Sequence, residues 1–346
     1  MKRVSPEQLR RLVAAAFSAA GCREPEPERI ARYLVEANLV GHDSHGVIRV
    51  LTYIQWLREG KVLANQSLTV ALETDALAVV DGNAGFGQTV GEAATKLGIE
   101  KAARQGVAVI ALRNSGHLGR IGDWAELAAA AGLISLHFVN TSGLGILMAP
   151  FGGIDRRLSA NPIAAGVPRP GTWPLILDMS TSAIAEGKIR VAFNKQIQTP
   201  EGCLIDSQGR PSTDPKAFYS EPGAILPFGG HKGYGLGVLT EILAGALTGG
   251  GCSRPGVTQL LNGMLSIYLD PRQFAADEQF HREVEELIEW IKSSRPAEPG
   301  REILMPGEVE QRTRVARSQG IELDDNTWGQ LLDTCQTLGV SADLIP

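Results

Sequence analysis

Closely spaced cysteines are absent from this sequence, and their absence excludes the common cysteine-based sites. The chain contains four cysteines, which stand far apart: Cys22, Cys203, Cys252 and Cys335. Structural zinc sites and redox-active dithiols need closely spaced cysteine pairs. We therefore predict four reduced thiols in a reducing compartment and no cysteine-ligated metal.

Basic residues and long hydrophobic runs are also scarce. Lysine and arginine number 33 against 38 aspartates and glutamates, which gives a formal net charge of -5 at pH 7. A nucleic acid or an anionic membrane would require a basic face, and no apolar run approaches the roughly 20 residues of a membrane-spanning helix. We expect no nucleic-acid partner and no membrane partner.

Apolar residues, in contrast, are plentiful. They make up 43% of the 346 residues, and the 40 glycines follow no period. The chain can therefore bury a sizeable core, its length suggests about two domains, and its glycines predict tight turns.

The N-terminal segment is predicted to be an amphipathic helix. Residues 12–22 (LVAAAFSAAGC) could be mistaken for a signal sequence, but Leu9, Leu12 and Phe17 fall at helical spacing. Ser5 and Gln8 form a capping box for a helix over 6–20. We therefore expect a cytoplasmic protein.

Further along the chain, the hydrophobic pattern predicts a mixed α and β body between terminal helices. Helices are predicted over 27–39 and from near His45 to Gly60, then over 89–104, 123–131, 309–319 and 325–338. Another, over 234–247, is apolar nearly all round and expected to be buried. Strands are predicted over 76–80, 107–112, 133–139, 175–177 and 264–269, and a linker over 294–307.

The first polar motif is GHDSHG at 41–46, followed by Arg49. Ser44 is a suitable N-cap, so His45 is expected at the opening of a helix with Arg49 one turn further on. Arginine binds a carboxylate through two hydrogen bonds, and histidine can exchange a proton with a neighbouring hydroxyl or carbonyl oxygen. Two other interpretations stay open, namely a structural cap with a solvent-exposed histidine and a metal site made by His42 and His45.

The second motif, NSGHLGR at 114–120, directly follows a predicted strand. Polar turns at strand ends often carry binding sites, so His117 could orient a substrate or cofactor. A turn with a merely exposed histidine is the alternative.

The third motif, LDMSTS at 177–182, stands between a predicted strand and a helix that contains Glu186 and Lys188. Asp178 could set the tautomer of a catalytic histidine, and the hydroxyl run could bind phosphate. The alternative is a helix-capping cluster.

The fourth motif, GGHKGYG at 229–235, combines glycines that let a ligand approach the backbone with the charge of Lys232 for a phosphate. It is not a Walker loop, and no GxGxxG follows any predicted strand; the nearest segment, GFGQTVG at 85–91, has the wrong spacing. The sequence thus argues against the Rossmann mode of nucleotide binding.

Together these motifs resemble the malate/L-lactate dehydrogenase family of the second, non-Rossmann type. The resemblance covers almost the whole chain in order: ANLVGHDSHG (37–46), GFGQ (85–88), NSGHLGRIGDWAE (114–126), APFGG (149–153), SANP (159–162), LDMSTSAIAEGK (177–188), HKGYGLG (231–237) and LMPGE (304–308). Within the family, EGCLID (201–206) matches the hydroxycarboxylate dehydrogenases. The ordered set is highly specific, although any single segment is weak.

The resemblance implies a mixed α/β fold with a non-Rossmann cofactor domain built on a largely antiparallel mixed sheet over 76–279. A helical domain would join both termini, residues 1–75 with 280–346. The family's chemistry is reversible hydride transfer between NAD(P)H and a 2-oxo acid, carried out by a homodimer. NAD is expected as the cofactor, NADP is possible, and no metal is expected.

The resemblance also implies roles for individual residues. His45 would be the proton donor, Arg49 would bind the substrate carboxylate, Ser44 and His117 would hold the substrate or nicotinamide, and Asp178 would lie near the nicotinamide. The implied cofactor contacts are His45, Gly119, Arg120, Ile121, Leu177, Asp178, Met179, Ser180, Thr181, Lys232, Asn262, Gly307 and Glu308. Tyr53 either lines the pocket or packs within its helix.

Two other functions stay open at this point. The same hydride geometry would serve reduction of a cyclic imine, and the chain could be a ligand-binding homologue without activity.

Overall fold

The structure, a computed structural model, describes residues 1–275 and 277–344. Residues 276, 345 and 346 fall within the predicted domain ranges but lie outside the described residues. The α-helices of the described chain are α1 (Pro6–Ala19), α2 (Glu26–Leu39), α3 (Arg49–Arg58), α4 (Gly87–Gln105), α5 (Gly122–Ala130), α6 (Glu186–Lys195), α7 (Lys216–Tyr219), α8 (His231–Glu241), α9 (Asp277–Lys292), α10 (Glu308–Arg317) and α11 (Asp325–Thr337). The strands are β1 (Lys2–Val4), β2 (Thr69–Glu73), β3 (Leu77–Asp81), β4 (Val107–Ser115), β5 (Ile134–Ser142), β6 (Ile163–Val167), β7 (Leu175–Met179), β8 (Leu204–Ile205), β9 (Pro211–Ser212), β10 (Ala224–Ile225), β11 (Leu261–Leu269) and β12 (Ile321–Leu323).

A seven-stranded sheet forms the centre, in the order β2-β3-β4-β11-β5-β6-β7. Only β3 and β4 pair in parallel within it, and the other neighbours are antiparallel. Buried side chains of α4 and α5 pack on this sheet, with Trp124 and Tyr268 in the core between them. The predicted mixed α/β fold with a largely antiparallel sheet is confirmed.

A second hydrophobic core joins the two ends of the chain. It contains side chains of α1, α2 and α3 together with Leu331 and Cys335 of α11. β1 also pairs with β12, so that Lys2 faces Leu323. This packing agrees with terminal helices that pack together, whereas the exact domain boundaries stay a prediction.

Local signals explain why the first helix was predicted well. The Ser5 hydroxyl accepts the backbone N–H of Gln8 at 3.2 Å, and Leu9, Leu12 and Phe17 are fully buried. The helix therefore begins where its cap and its apolar face require.

The helix predicted over 234–247 differs from the prediction at both ends and in burial. α8 begins at His231 and ends at Glu241, where a π-helical turn over Ile242–Ala246 follows. Its small residues face the protein, whereas Leu239 and Ile242 are 46% and 51% exposed. The expectation of burial on all sides was wrong, because glycines such as Gly237, and not the large apolar residues, form the contact face.

Several elements were not predicted from the sequence. β6 is made of small residues because α5 crosses it closely: a Cβ on Gly166 would lie 2.6 Å from the Ala125 carbonyl oxygen. β2 is exposed along its whole length, and β8, β9 and β10 are too short to show a period. For α9, the helical spacing of Phe280, Val284 and Leu287 was a usable signal.

No helix within the described residues is long and apolar enough to cross a membrane.

Candidate active site

Loops from several strands meet at one edge of the large sheet. Four strands of this sheet run in the same direction: β3, β4, β5 and β7. β3 and β4 are parallel neighbours. β11 lies antiparallel between β4 and β5, and β6 lies antiparallel between β5 and β7, so each of these pairs is parallel across the intervening strand. The carboxyl ends of these four strands therefore point the same way. The second and third motifs follow β4 and β7, so the topology gathers them at this edge.

The helix that follows the first motif begins later than predicted. α3 starts at Arg49, whereas Asp43–His45 forms a separate 3₁₀ turn, and Ser44 does not cap α3. Asn38 of α2 explains the difference, since its Oδ1 accepts the N–H of Val47 at 2.9 Å and holds the turn against α2. The predicted helix opening at His45 was wrong because a side chain from the preceding helix outweighs the local capping preference.

The turn nevertheless brings His45 onto His117. The two rings are stacked, with centroids 5.4 Å apart and an interplanar angle of 9°. Nδ1 of His45 is buried and has no hydrogen-bond partner among the described residues, whereas Nδ1 of His117 lies 2.6 Å from the hydroxyl oxygen of Tyr53. The protein thus holds His117 through the Tyr53 hydroxyl and makes no such hydrogen bond to Nδ1 of His45 within the described chain.

Arg49 stands beside this pair of imidazoles. Its Nε donates to the carbonyl oxygen of Ser44 at 2.6 Å, which fixes the guanidinium next to the turn that carries His45. This bond uses one guanidinium N–H, and the planar group has others with which to bind a carboxylate.

Burial controls the protonation of both histidines. It lowers the pKa of His45 well below the ordinary 6.5, and the neighbouring His117 and Arg49 lower it further. It also lowers the pKa of His117 to about 3, with a further contribution from Arg49. Both imidazoles are therefore neutral at pH 7, the form that can accept a proton.

A buried cluster of charges adjoins the site. Nη1 of Arg120 donates to Asp123 and Glu126, both at 2.8 Å, and Nε of Arg120 lies 3.7 Å from Asp178. Nε and Nη2 of this buried arginine have no hydrogen-bond partner in the part of the chain that the structure describes. Asp178 accepts a backbone N–H at the start of α5 at 2.9 Å, so within the described residues this carboxylate contacts α5 and Arg120 rather than His45. Burial raises the pKa of Asp123 to about 7, despite its pairing with Arg120.

The third and fourth motifs are neighbours in the fold. The carbonyl oxygen of Thr181 accepts the N–H of Phe228 at 3.1 Å, just before α8. The hydroxyls of Ser180 and Ser182 are hydrogen-bonded to each other at 2.8 Å. Lys232 is exposed in the first turn of α8, close in sequence to this contact.

The late segment before α10 packs against β7. The N–H of Ile176 donates to the Pro306 carbonyl oxygen at 3.2 Å. Gly307 has φ +91, and a Cβ there would lie 3.1 Å from the Ile176 nitrogen, so glycine permits this close approach. Glu308 accepts the N–H of Met305 at 3.1 Å.

α10 also contacts the first motif. Nε2 of His42 lies 3.2 Å from Oε1 of Glu310. Among the described residues, no group of three or more histidine, cysteine, aspartate or glutamate side chains could hold a metal ion. The remaining predicted cofactor residues are Gly119 and Ile121, between β4 and α5, and Leu177 and Met179, on β7.

Asn262 of β11 already uses its side chain within the protein. Its Oδ1 accepts the N–H of Leu118 at 2.9 Å, and its Nδ2 donates to Asn140 and Thr141, both at 2.9 Å. The amide therefore fixes the loop that carries His117. This role was missed from the sequence, since no local pattern reveals a contact across 144 residues.

Neither His45 nor His117 lines either of two cavities in the described chain. One of about 400 Å³ is lined in part by Gly229 and Gly230, the first two residues of the fourth motif. The other, of about 540 Å³, lies between the start of α2, the 65–68 segment and α4, and no predicted site residue lines it.

Comparison with known proteins agrees with this arrangement. The family model for malate/L-lactate dehydrogenase matches residues 4–332. The chain belongs to this family. It is 40% identical to hydroxycarboxylate dehydrogenase B of Escherichia coli (strain K12), over 99% of this chain and 96% of that protein.

Solved structures give the same result. The sulfolactate dehydrogenase of Methanocaldococcus jannaschii superposes with a TM-score of 0.90 at 38% identity, with 99% of each chain covered. The Δ1-piperideine-2-carboxylate reductase of Pseudomonas syringae pvar. tomato superposes with a TM-score of 0.85 at 31% identity, covering 96% of this chain and all (100%) of that chain. The predicted family and enzyme class, an oxidoreductase acting on 2-hydroxy acids with a nicotinamide cofactor, are confirmed.

Proposed function

We propose that this protein interconverts a 2-hydroxy acid and its 2-oxo acid with NAD, at a site formed around His45, Arg49 and His117. The observation that carries this proposal is the stacked pair of neutral imidazoles beside a fixed guanidinium. The imidazoles suit proton transfer at the hydroxyl oxygen, and the guanidinium suits the adjacent carboxylate.

His45 is proposed to move the proton. In the oxidising direction its neutral ring accepts the hydroxyl proton, and no group of the described chain hydrogen-bonds to its Nδ1. In the reducing direction the protonated ring returns that proton to the carbonyl oxygen. A carboxylate on Arg49 places a negative charge nearby, and an opposite charge favours the protonated imidazole.

Arg49, Ser44 and His117 are proposed to hold the substrate. Arg49 binds the carboxylate, which orients the neighbouring hydroxyl or carbonyl oxygen toward the imidazoles. Ser44 lies in the same turn as His45 and also faces α6, since a Cβ on Gly187 would lie 2.9 Å from the Ser44 Cβ. Small changes in this turn would therefore alter substrate placement.

The surrounding residues fit a nicotinamide dinucleotide. The hydroxyl run after β7 and the exposed Lys232 at a helix N-terminus supply donors and positive charge for its polar groups. Nε and Nη2 of Arg120 add two N–H groups that have no hydrogen-bond partner in the described chain. When bound, the cofactor supplies or accepts the hydride. The proposed contacts are Gly119, Arg120, Ile121, Leu177, Asp178, Met179, Ser180, Thr181, Lys232, Asn262, Gly307 and Glu308, with His45 next to the nicotinamide.

A substitution at His45 tests the proposal. We expect His45→Ala to lower kcat at least about a hundredfold while NADH binding is retained, because general acid–base catalysis contributes on this scale. The assay follows NADH and NADPH oxidation with pyruvate, oxaloacetate, 2-oxoglutarate and phenylpyruvate. His281→Ala, on α9, is the matched control and should behave like the wild type. Full turnover by His45→Ala would remove this residue from its role.

Reduction of a cyclic imine is the second candidate, favoured by the likeness to the Δ1-piperideine-2-carboxylate reductase. The proton would then go to nitrogen. Adding a cyclic imine carboxylate to the same panel separates the two activities. NADH binding without oxidation by any compound would instead indicate a ligand-binding homologue without activity.

A homodimer is also proposed. Exposed apolar side chains on and after α8 support it, namely Leu239, Ile242 and Leu247. Light scattering of the purified protein measures the mass directly, and Ile242→Glu should shift a dimer toward monomer. A monomeric wild type would contradict this assembly.

A further inference from the structure

The two stacked imidazoles differ in how the protein holds them, and the difference begins at Tyr53. The hydroxyl oxygen of Tyr53 lies 2.6 Å from Nδ1 of His117, and the side chain is only 2% exposed. Burial also raises the pKa of Tyr53 to about 12, so this hydroxyl keeps its proton at neutral pH. Either group could donate in this hydrogen bond, so a third group must decide the direction.

Gln88 decides it. Its side-chain amide nitrogen lies 3.2 Å from the Tyr53 hydroxyl oxygen and 3.5 Å from the backbone carbonyl oxygen of His117. A carbonyl oxygen can only accept, so the Gln88 group that faces both oxygens must be the NH₂ group. Gln88 therefore donates to the Tyr53 oxygen.

The proton count then follows. The Tyr53 oxygen accepts from Gln88, and its single proton is directed to Nδ1 of His117. Nδ1 of His117 is consequently an acceptor, and the proton of the neutral ring must be on Nε2. We infer that Tyr53 and Gln88 are positioning residues that hold His117 as a fixed Nε2–H hydrogen-bond donor and leave proton exchange to His45.

The stacking supports this division of roles. Two positively charged rings with centroids 5.4 Å apart would repel each other, so at most one imidazole of the pair is expected to carry a positive charge. Nδ1 of His117 is hydrogen-bonded to Tyr53, whereas the buried Nδ1 of His45 has no hydrogen-bond partner within residues 1–275 and 277–344. The exchangeable proton therefore belongs to His45.

The inference deepens the proposed function and rests on it for its catalytic meaning. During oxidation the hydroxyl O–H bond breaks and its proton goes to His45, the C–H bond breaks and its electron pair leaves as hydride to the nicotinamide, and the C=O bond forms. His117 keeps its proton throughout. Its Nε2–H donates to the oxygen while negative charge develops there, which stabilises the transition state.

Nuclear magnetic resonance can read the tautomer directly and independently of activity. Two-bond ¹H–¹⁵N spectra of the ¹⁵N-labelled full-length protein distinguish the two tautomers of its six histidines, and His117→Gln assigns the signal. We expect the Nε2–H pattern for His117 throughout pH 5–8. An Nδ1–H pattern or a charged ring at pH 7 in the wild type would overturn the inference without any variant.

Tyr53→Phe supplies the functional half of the test. It keeps the buried ring and removes the hydroxyl, so we expect a mixture of His117 tautomers and a kcat lowered about tenfold, with little change in the KM for NADH. Tyr268→Phe is the matched control, because Tyr268 is also fully buried but packs edge-on against His137 rather than His117. Unchanged His117 signals in Tyr53→Phe would refute the role of Tyr53.

The outcomes separate this inference from the proposed function. An Nε2–H pattern in a protein without dehydrogenase activity would support the tautomer and reject the function. An active enzyme with His117 in the Nδ1–H form would keep the function and reject the inference.

Discussion

Acidification should destabilise this protein through His137, a histidine far from the proposed chemistry. His137 lies on β5 and is 0% exposed, with Nδ1 at 2.8 Å from the Ser266 hydroxyl and Nε2 at 3.0 Å from the Ser135 hydroxyl. Burial lowers its pKa from 6.5 to about 3 in the folded protein. The unfolded chain binds this proton more readily, so the free energy of unfolding falls as the pH drops below about 6.5.

The size of the effect follows from the two pKa values. Between pH 8 and pH 5 the unfolded state gains a proton at His137 that the folded state does not bind. The free energy of unfolding therefore decreases by about 2 kcal/mol over this range. His137→Gln removes the titrating ring and can still hydrogen-bond to hydroxyls. The free energy of unfolding of His137→Gln at pH 8 can be lower than that of the wild type. Its decrease between pH 8 and pH 5, however, should be about 2 kcal/mol smaller than the decrease in the wild type.

Urea unfolding at pH 8, 7, 6 and 5, followed by tryptophan fluorescence, measures this difference. His281→Gln provides the control, because His281 lies on the surface helix α9 and pairs with Asp277 at 3.1 Å. Its pH dependence should follow the wild type. Equal losses of free energy from pH 8 to pH 5 in the wild type and His137→Gln would refute the reasoning.

Two further substitutions test how the site is held. Asn262→Ala leaves the Leu118 N–H without its hydrogen-bond partner and removes a donor to the Asn140 carbonyl oxygen. The free energy of unfolding should fall by about 2–4 kcal/mol in urea titrations, and a loss below about 1 kcal/mol would contradict the assigned role. Gly46→Ala would place a Cβ against the Asn38 amide that holds the His45 turn. We expect kcat/KM to fall at least about tenfold, while Gly329→Ala, where a Cβ meets no atom within 4 Å, leaves activity unchanged. Equal activity in both variants would exclude this packing effect.

The sequence predicted the elements whose signals are local. α1 has its cap and apolar stripe within 14 residues, and β4, β5 and β11 appear as β-branched runs close to their observed bounds. The second and third motifs also fell where polar loops follow strands, and the order of the candidate site residues along the chain was available in advance. The roles assigned to them remain proposals.

Predictions failed where a distant side chain altered a local preference. The helix expected at His45 begins instead at Arg49, because Asn38 holds the intervening turn. The burial of α8 was misjudged because hydrophobicity alone does not tell which face packs on the protein. Gln88 belongs to the GFGQ segment at 85–88, yet nothing near it in sequence indicates its contact with Tyr53, 35 residues away.

The sequence by itself determined the family, the mixed α and β composition and the chemical types of residue at the site, because caps, periodicity and ordered motifs are properties of neighbouring residues. Only the tertiary structure decided that His45 stacks on His117, that Tyr53 reaches the same ring and that Arg120 is buried among carboxylates. Proton positions and pKa values depend on burial and on atoms a few ångströms away, and those atoms come from segments that folding alone brings together.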